Sequence, residues 1–337
     1  MIFWPEAGRE IGLGHVMECL ALANVCRDKG TDAHFVFQNF AGAAAQIDGA
    51  GFTYSTALME DGVDLIESRA KGKGWVVVDH RSADIANLRR LRRKGHKVLV
   101  IDQLGKKDIS ADVLINPSIV EDWLQYRFPD GQPVCCFGPE FALLRDEFID
   151  VPDRARGGDT LRVLVTMGGV DRTGVTMRIV EAILSLGLTA EIDIVIGSGF
   201  PHMDDLLRLV RGQEHRFTVA CGVNDMAARM SRADLAFSAG GNTLYELART
   251  GTPAIVLWED PHEEILGHAF ARRGTCVCVG RGAEVPVDVI AEHLRVLLNE
   301  PMQRSRMRNE ARDLVDGRGA ERVCGILSPQ SPDGGLA

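Results

Sequence analysis

A chain of 337 residues is long enough for two domains with a core each, and 45% hydrophobic with 25% charged residues is the balance of a soluble globular protein. A formal net charge of -9 argues against nucleic acid or an anionic membrane surface as the main partner. There is no charged-then-apolar leader and no apolar run long enough to span a bilayer, so a cytoplasmic protein without membrane insertion is expected.

Taken in order, apolar runs of strand character fall at 2–4, 34–37, 75–78, 98–101, 113–115, 161–166, 192–196, 217–219, 235–238, 254–258 and 276–279. Helical patterns separate them. Continuous Val/Ile/Leu runs of this kind indicate parallel sheets covered on both faces. The polar, glycine-containing stretch 150–159 interrupts the series near its middle and reads as a linker. The expected organisation is a first domain over 1–150, a second over 151–327 and a disordered tail over 328–337. The basic clusters Arg89-Arg90 to Lys94 and Arg304 to Arg312 read as solvated helix faces. The eight cysteines show no spacing suited to zinc or to a disulfide framework, so reduced thiols and no metal are expected.

Glycine-containing turns follow several strands. After the first come Gly12, Gly14 and His15, with Met17 where a dinucleotide fingerprint needs its third glycine, so hydride transfer is poorly supported. Val16, Cys19, Leu20 and Ala23 form the core face of the next helix. His15 sits at that helix's N-terminus, where the macrodipole disfavours imidazolium and would keep a base neutral; the alternative is a capping or surface histidine. Asp79-His80 and Asp102-Gln103 end buried strands, either as cleft groups or as ordinary turn and cap residues.

The second half carries two candidate phosphate cradles, Gly168-Gly169 with Asp171, and Gly240-Gly241 with Asn242 and Thr243. Neither is a Walker loop. Asn242 is a good N-cap residue, and Leu244, Leu247, Ala248 and Gly251 share one face of the helix that follows. Glu246 points away from that face, one turn into a helix whose free amides suit a phosphate, where a carboxylate could hold a ribose diol. A plain strand–turn–helix with a surface glutamate remains the alternative.

Together the motifs Gly12-Leu13-Gly14-His15-Val16-Met17, Asp79-His80, Asp102, Gly138 to Phe148, Gly168-Gly169-Val170-Asp171, Ser238 to Glu246 and Asp316 to Val323 occur in an order that resembles one family. It is that of the UDP-sugar hydrolases of pseudaminic acid biosynthesis, PseG, and the related spore-coat polysaccharide proteins. The likeness spans nearly the whole chain, and the family is similar to MurG-like GT-B glycosyltransferases. The resemblance implies an α/β, GT-B-like fold of two Rossmann-like, doubly wound domains facing across a cleft, with UDP held by the second. It implies that Glu246 binds ribose, that Gly168, Gly169, Gly240, Gly241, Asn242 and Thr243 take the diphosphate, and that Gly14, Asp79, His80, Asp171 and His262 complete the substrate site. His15 matches the family's general base for water attack at the anomeric carbon, with inversion and no cofactor. The implied substrate is a UDP-activated 2,4-diacetamido-2,4,6-trideoxy sugar, a precursor of the nonulosonic acid used to glycosylate flagellin.

Three departures lie on the sugar side. Glu18 stands where the family has arginine, Arg81 where it has tyrosine, and Pro261-His262-Glu263-Glu264 where it has Asn-Gln. They leave the nucleotide half intact and the sugar open. A glycosyltransferase on the same fold and a non-catalytic nucleotide-sugar-binding protein are the alternatives. The helix around Arg89–Lys94 is too polar to insert into a membrane as a transferase patch.

Overall fold

β-branched and aliphatic runs flanked by glycine turns become two separate parallel sheets. The computed structural model describes residues 1–328 except 9, 10, 71, 106, 107, 121, 123, 152–159 and 198. Most of the expected linker, 152–159, and nearly all of the expected tail, 329–337, therefore lie outside the described residues. The chain divides into two units, Met1–Asp146 together with the segment from Gly317 onward, and Glu147–Asp316.

The first unit is a seven-stranded sheet of β1 (Ile2–Pro5), β2 (His34–Phe37), β3 (Thr53–Thr56), β4 (Trp75–Asp79), β5 (Lys97–Ile101), β6 (Val113–Asn116) and β7 (Val134–Phe137) in the order β3-β2-β1-β4-β5-β6-β7. The second has β8 (Leu161–Thr166), β9 (Ala190–Ile196), β10 (Phe217–Cys221), β11 (Leu235–Ser238), β12 (Ala254–Trp258) and β13 (Cys276–Arg281) in the order β10-β9-β8-β11-β12-β13. Every pairing is parallel. Each order reverses once, between β1 and β4 and between β8 and β11. Such a reversal opens a crevice at the carboxyl ends of the strands, where ligands of wound sheets bind.

All eleven expected strands form. Two more, β3 and β7, are edge strands, and their burial explains why they lack a continuous apolar signature: no residue of β3 and only Cys136 of β7 is fully buried.

The expected boundary at 327 shifts. The last helix, α12 (Gly319–Leu327), belongs with the first unit. Its buried face, Ala320, Val323, Cys324 and Leu327, joins the core around α1 (Gly14–Asp28). Cys26 Sγ lies 3.1 Å from Cys324 Sγ, and the Trp75 indole N–H donates to the Leu327 carbonyl at 3.0 Å. A Cβ on Gly319 would meet the Ala142 carbonyl at 2.2 Å, so the helix starts in backbone contact with residues 141–142.

The basic helix α4 (Ile85–Arg93) is ion-paired rather than merely solvated. Arg89 pairs with Asp130, Arg90 with Asp64 and Glu67, and Lys94 with Glu67. Among the described residues no helix is long and apolar enough to cross a membrane.

Candidate functional site

At the switch point of the first unit, β1 runs into the glycine turn and α1, while β4 ends on Asp79. Val16, Cys19, Leu20 and Ala23 are buried as the pattern requires, which turns His15 and Glu18, three residues apart, toward the strand ends. His15 Nδ1–H donates to Asp79 Oδ1 at 2.7 Å. Asp79 is only 2% exposed. This fixes the tautomer and ring orientation, and Nε2 makes no hydrogen bond among the described residues.

The expectation of an uncharged imidazole is corrected. Burial alone would lower the proton affinity of His15, but the Asp79 carboxylate and its hydrogen bond, with Glu18 behind it, raise its pKa to about 9. A full charge at 2.7 Å outweighs the partial charge of a helix end. Glu18 is buried and accepts from Gln103 Nε2 at 2.6 Å. Burial, reinforced by Asp79, pushes its carboxyl well above the usual range. One imidazole and two carboxyl groups thus lie within 4.8 Å of one another, a donor set of the kind that holds a divalent cation. Here the short contacts among them are hydrogen bonds.

Behind this pair lies a second buried carboxylate. Glu6 Oε2 accepts from the Arg81 amide at 2.9 Å and from Arg81 Nε at 3.2 Å, and Oε1 accepts from Ser82 Oγ at 3.1 Å. Burial opposes its ionisation, yet His80 and these donors hold its pKa below the ordinary carboxylate range. His80 is itself 8% exposed and packs against Trp4 with ring centroids 5.2 Å apart. Of the two residues expected to contact substrate here, Asp79 orients His15, and His80 lies against the Glu6–Arg81 pair. Asp102 accepts from the Gly105 amide and the Tyr126 hydroxyl, the turn role left open for it. Glu6 was not identified from the sequence; its only signal was a polar residue directly after an apolar strand.

In the second unit, Gly168 and Gly169 follow β8 and are exposed, and Gly240 and Gly241 follow β11. Gly168, Gly240 and Gly241 have positive φ, at 80°, 129° and 61°. A Cβ on Gly240 would come within 2.9 Å of Glu263 Cβ, so α9 (Pro261–Arg272) closes directly on this turn and brings its first residues, His262 and Glu263, to the cradle. Asp260 caps α9 by accepting from the His262 and Glu263 amides. Thr173 Oγ1 donates to Glu259 at 2.5 Å, tying the β8 turn to the end of β12. Burial lifts the Glu263 carboxyl to about 7, helped by Asp260 and Glu259. Gly168–Gly169, Gly240–Thr243 and His262 are thus gathered at neighbouring strand ends, with Glu246 part-buried in the first turn of α8 (Thr243–Thr250).

One local expectation is corrected. Asn242 makes no side-chain cap bond and already has helical backbone angles, so α8 begins with its first amides uncapped by that residue. Asp171, expected in the substrate site, also holds its own helix: at φ 44° and 4% exposure, its two oxygens accept from the Val175 and Thr176 amides at 2.7 and 2.8 Å and cap α5 (Val175–Ser185). Asp171→Ala is expected to cost about 1–2 kcal/mol of unfolding free energy, read by urea denaturation. An unchanged midpoint would show that the cap is dispensable. The stop at Gly251, in the left-handed region at φ 66°, is as expected.

Two parallel wound sheets, each with a glycine turn at its switch point, are the architecture of the GT-B fold, and solved structures agree. Acinetobacter baumannii MurG matches with a TM-score of 0.71 at 16% identity, over 97% of this chain and 98% of that one. The Anabaena HepE complex with UDP matches with a TM-score of 0.65 at 11% identity, over 97% and 99%. In sequence, the chain is 25% identical over 329 residues to the spore coat polysaccharide biosynthesis protein SpsG of Bacillus subtilis (strain 168), covering 96% of both. No family model matches the chain. Distant homology to a spore-coat protein and the fold of GT-B glycosyltransferases agree with the motif resemblance at that level.

Proposed function

We propose that this protein is a nucleotide-sugar enzyme of the GT-B type that hydrolyses a UDP-activated deoxy-amino sugar, as in pseudaminic acid-type pathways. The observation that carries the reading is the His15–Asp79 pair at the switch point of the first unit, with Nδ1 committed and Nε2 unengaged. In this scheme Nε2 of the neutral imidazole takes a proton from water as its oxygen attacks the anomeric carbon. The bond from that carbon to the diphosphate oxygen breaks, UDP leaves with the electron pair, and the configuration inverts. The second unit is assigned the nucleotide: Gly168, Gly169 and the amides at Gly240–Thr243 take the diphosphate, Glu246 the ribose, and His262 lies beside them. No cofactor enters the scheme.

A glycosyltransferase is the second reading. It is favoured by the shared fold and by 30% identity over 109 residues to an N-acetylglucosamine transferase of Crocosphaera subtropica, although that stretch is only 31% of either chain. Incubation with a panel of UDP-sugars, scoring UDP and free reducing sugar with and without acceptor alcohols, separates the two. Hydrolysis predicts equal UDP and reducing sugar, unaffected by acceptor and by EDTA. His15→Ala is expected to abolish turnover and leave UDP affinity within about twofold. A fully active variant retires the base, and loss of rate in EDTA would assign the His15–Glu18–Asp79 cluster to a metal.

A further inference from the structure

Arg81 is a cation of the first unit's switch point whose position is built from beneath. It follows Asp79 by two residues, so it leaves β4 beside the carboxylate that holds His15, close enough that its charge opposes protonation of the imidazole. Its backbone amide and its Nε are both bound to one oxygen of Glu6, whose side chain is 10% exposed. Glu6 in turn is held by Ser82 Oγ at 3.1 Å. A guanidinium pinned at Nε and at its own backbone loses little further freedom on binding. The side chain is 46% exposed, and neither terminal nitrogen is engaged by a described residue. Those two nitrogens keep the planar geometry that matches a carboxylate in a bidentate pair.

Resting on the hydrolase reading, we infer that Arg81, anchored by Glu6 next to His15, selects a nucleotide sugar whose sugar ring carries a carboxylate. The anion cradles built from glycine turns and helix amides are in the second unit, and they are assigned the diphosphate. A fixed cation beside the base is therefore placed for the sugar. A neutral hexose has no group that repays desolvating the guanidinium, whereas a uronate carboxylate pairs with it in full.

The test uses sugar pairs differing only at C6: UDP-glucuronate against UDP-glucose, and, for the deoxy-amino class, UDP-2-acetamido-2-deoxyglucuronate against UDP-N-acetylglucosamine. UDP release and, by calorimetry, Kd are measured for the full chain. The uronates are expected to bind or turn over about 10- to 100-fold better. Arg81→Gln should collapse that ratio to near one, and Arg81→Lys, which keeps the charge without the fork, should leave an intermediate value. The affinity for UDP alone is measured in parallel. If Arg81→Gln weakens UDP as much as it weakens the UDP-uronates, the arginine grips the diphosphate and the inference falls. If neutral sugars are cleaved as well as uronates, the inference falls while the hydrolase reading stands. If no UDP-sugar binds or reacts, both fall. Circular dichroism of each variant guards against reading a folding defect as lost selectivity.

Discussion

Replacing Asp79 by asparagine is expected to lower the plateau rate of UDP release by about 10⁴-fold, the scale seen when an orienting carboxylate is neutralised behind a catalytic histidine. The side chain is buried and its Oδ1 receives the Nδ1 proton at 2.7 Å, so it sets both the tautomer and the basicity of the ring. The pH profile carries the sharper signature. With a pKa of about 9, His15 is mostly protonated at neutral pH, and only the neutral fraction can accept a proton from water. The wild-type rate should therefore climb about tenfold per pH unit through neutrality and level off near 9. In the variant the raising cause is gone, so the rise should end lower. At pH 7 the larger neutral fraction partly hides the loss, and the comparison belongs on the plateau. Stability follows the same linkage. A histidine raised above its unfolded value of 6.5 contributes fully below 6.5, and that contribution is lost as pH rises to about 9. The amount is on the order of 3 kcal/mol, read as the difference between wild-type and Asp79→Asn unfolding across that window. A flat rate profile from pH 6 to 9, or a variant at the wild-type plateau, would remove Asp79 and His15 from the chemistry.

How far such a site can be read in advance depends on the range of the interactions that build it. Eleven strands were legible from their apolar runs: nine lie inside their sheets, where a strand buried on both faces must be apolar throughout, as Val76-Val77-Val78 is, and the edge strands β10 and β13 keep short runs at 217–219 and 276–279. β3 and β7 were not, since edge strands tolerate polar and exposed residues such as Thr53 and Val134. The core face of α1, the glycine turns and the stop at Gly251 are local and were read correctly. Through-space effects were not. His15 was expected neutral from its own helix, and the residue that reverses the sign lies 64 positions away. The return of α12 to the first unit is likewise decided by its buried face meeting α1, which no local pattern announces. A carboxylate after two glycines looks alike in sequence whether it caps a helix or meets a ligand, and the cap made by Asp171 shows only in its two bonds to the α5 amides.

Gly169 at the β8 turn and Gly197 directly after β9 separate fold from ligand. A Cβ on Gly197 would sit 2.1 Å from the Gly169 carbonyl oxygen and 2.6 Å from its Cα, all backbone atoms that cannot rotate away. Gly197→Ala must therefore move the turn itself, and overpacking of this kind costs roughly 1–3 kcal/mol. Gly169→Ala is the opposite case. Its Cβ would have nothing within 4 Å, and its backbone is not in the left-handed region, so the folded chain accommodates a methyl group there at little cost. Only a bound group could collide with it. If the diphosphate lies against this backbone, Gly169→Ala should keep the wild-type melting temperature within a degree or two and lose about 100-fold in UDP affinity, the scale of 1–3 kcal/mol of overpacking against the ligand. Gly197→Ala should lose both stability and affinity. Thermal melts with calorimetric titration of UDP distinguish the outcomes. A Gly169→Ala protein that binds UDP as tightly as the wild type places the diphosphate elsewhere and leaves the exposed turn as mere connection between β8 and α5.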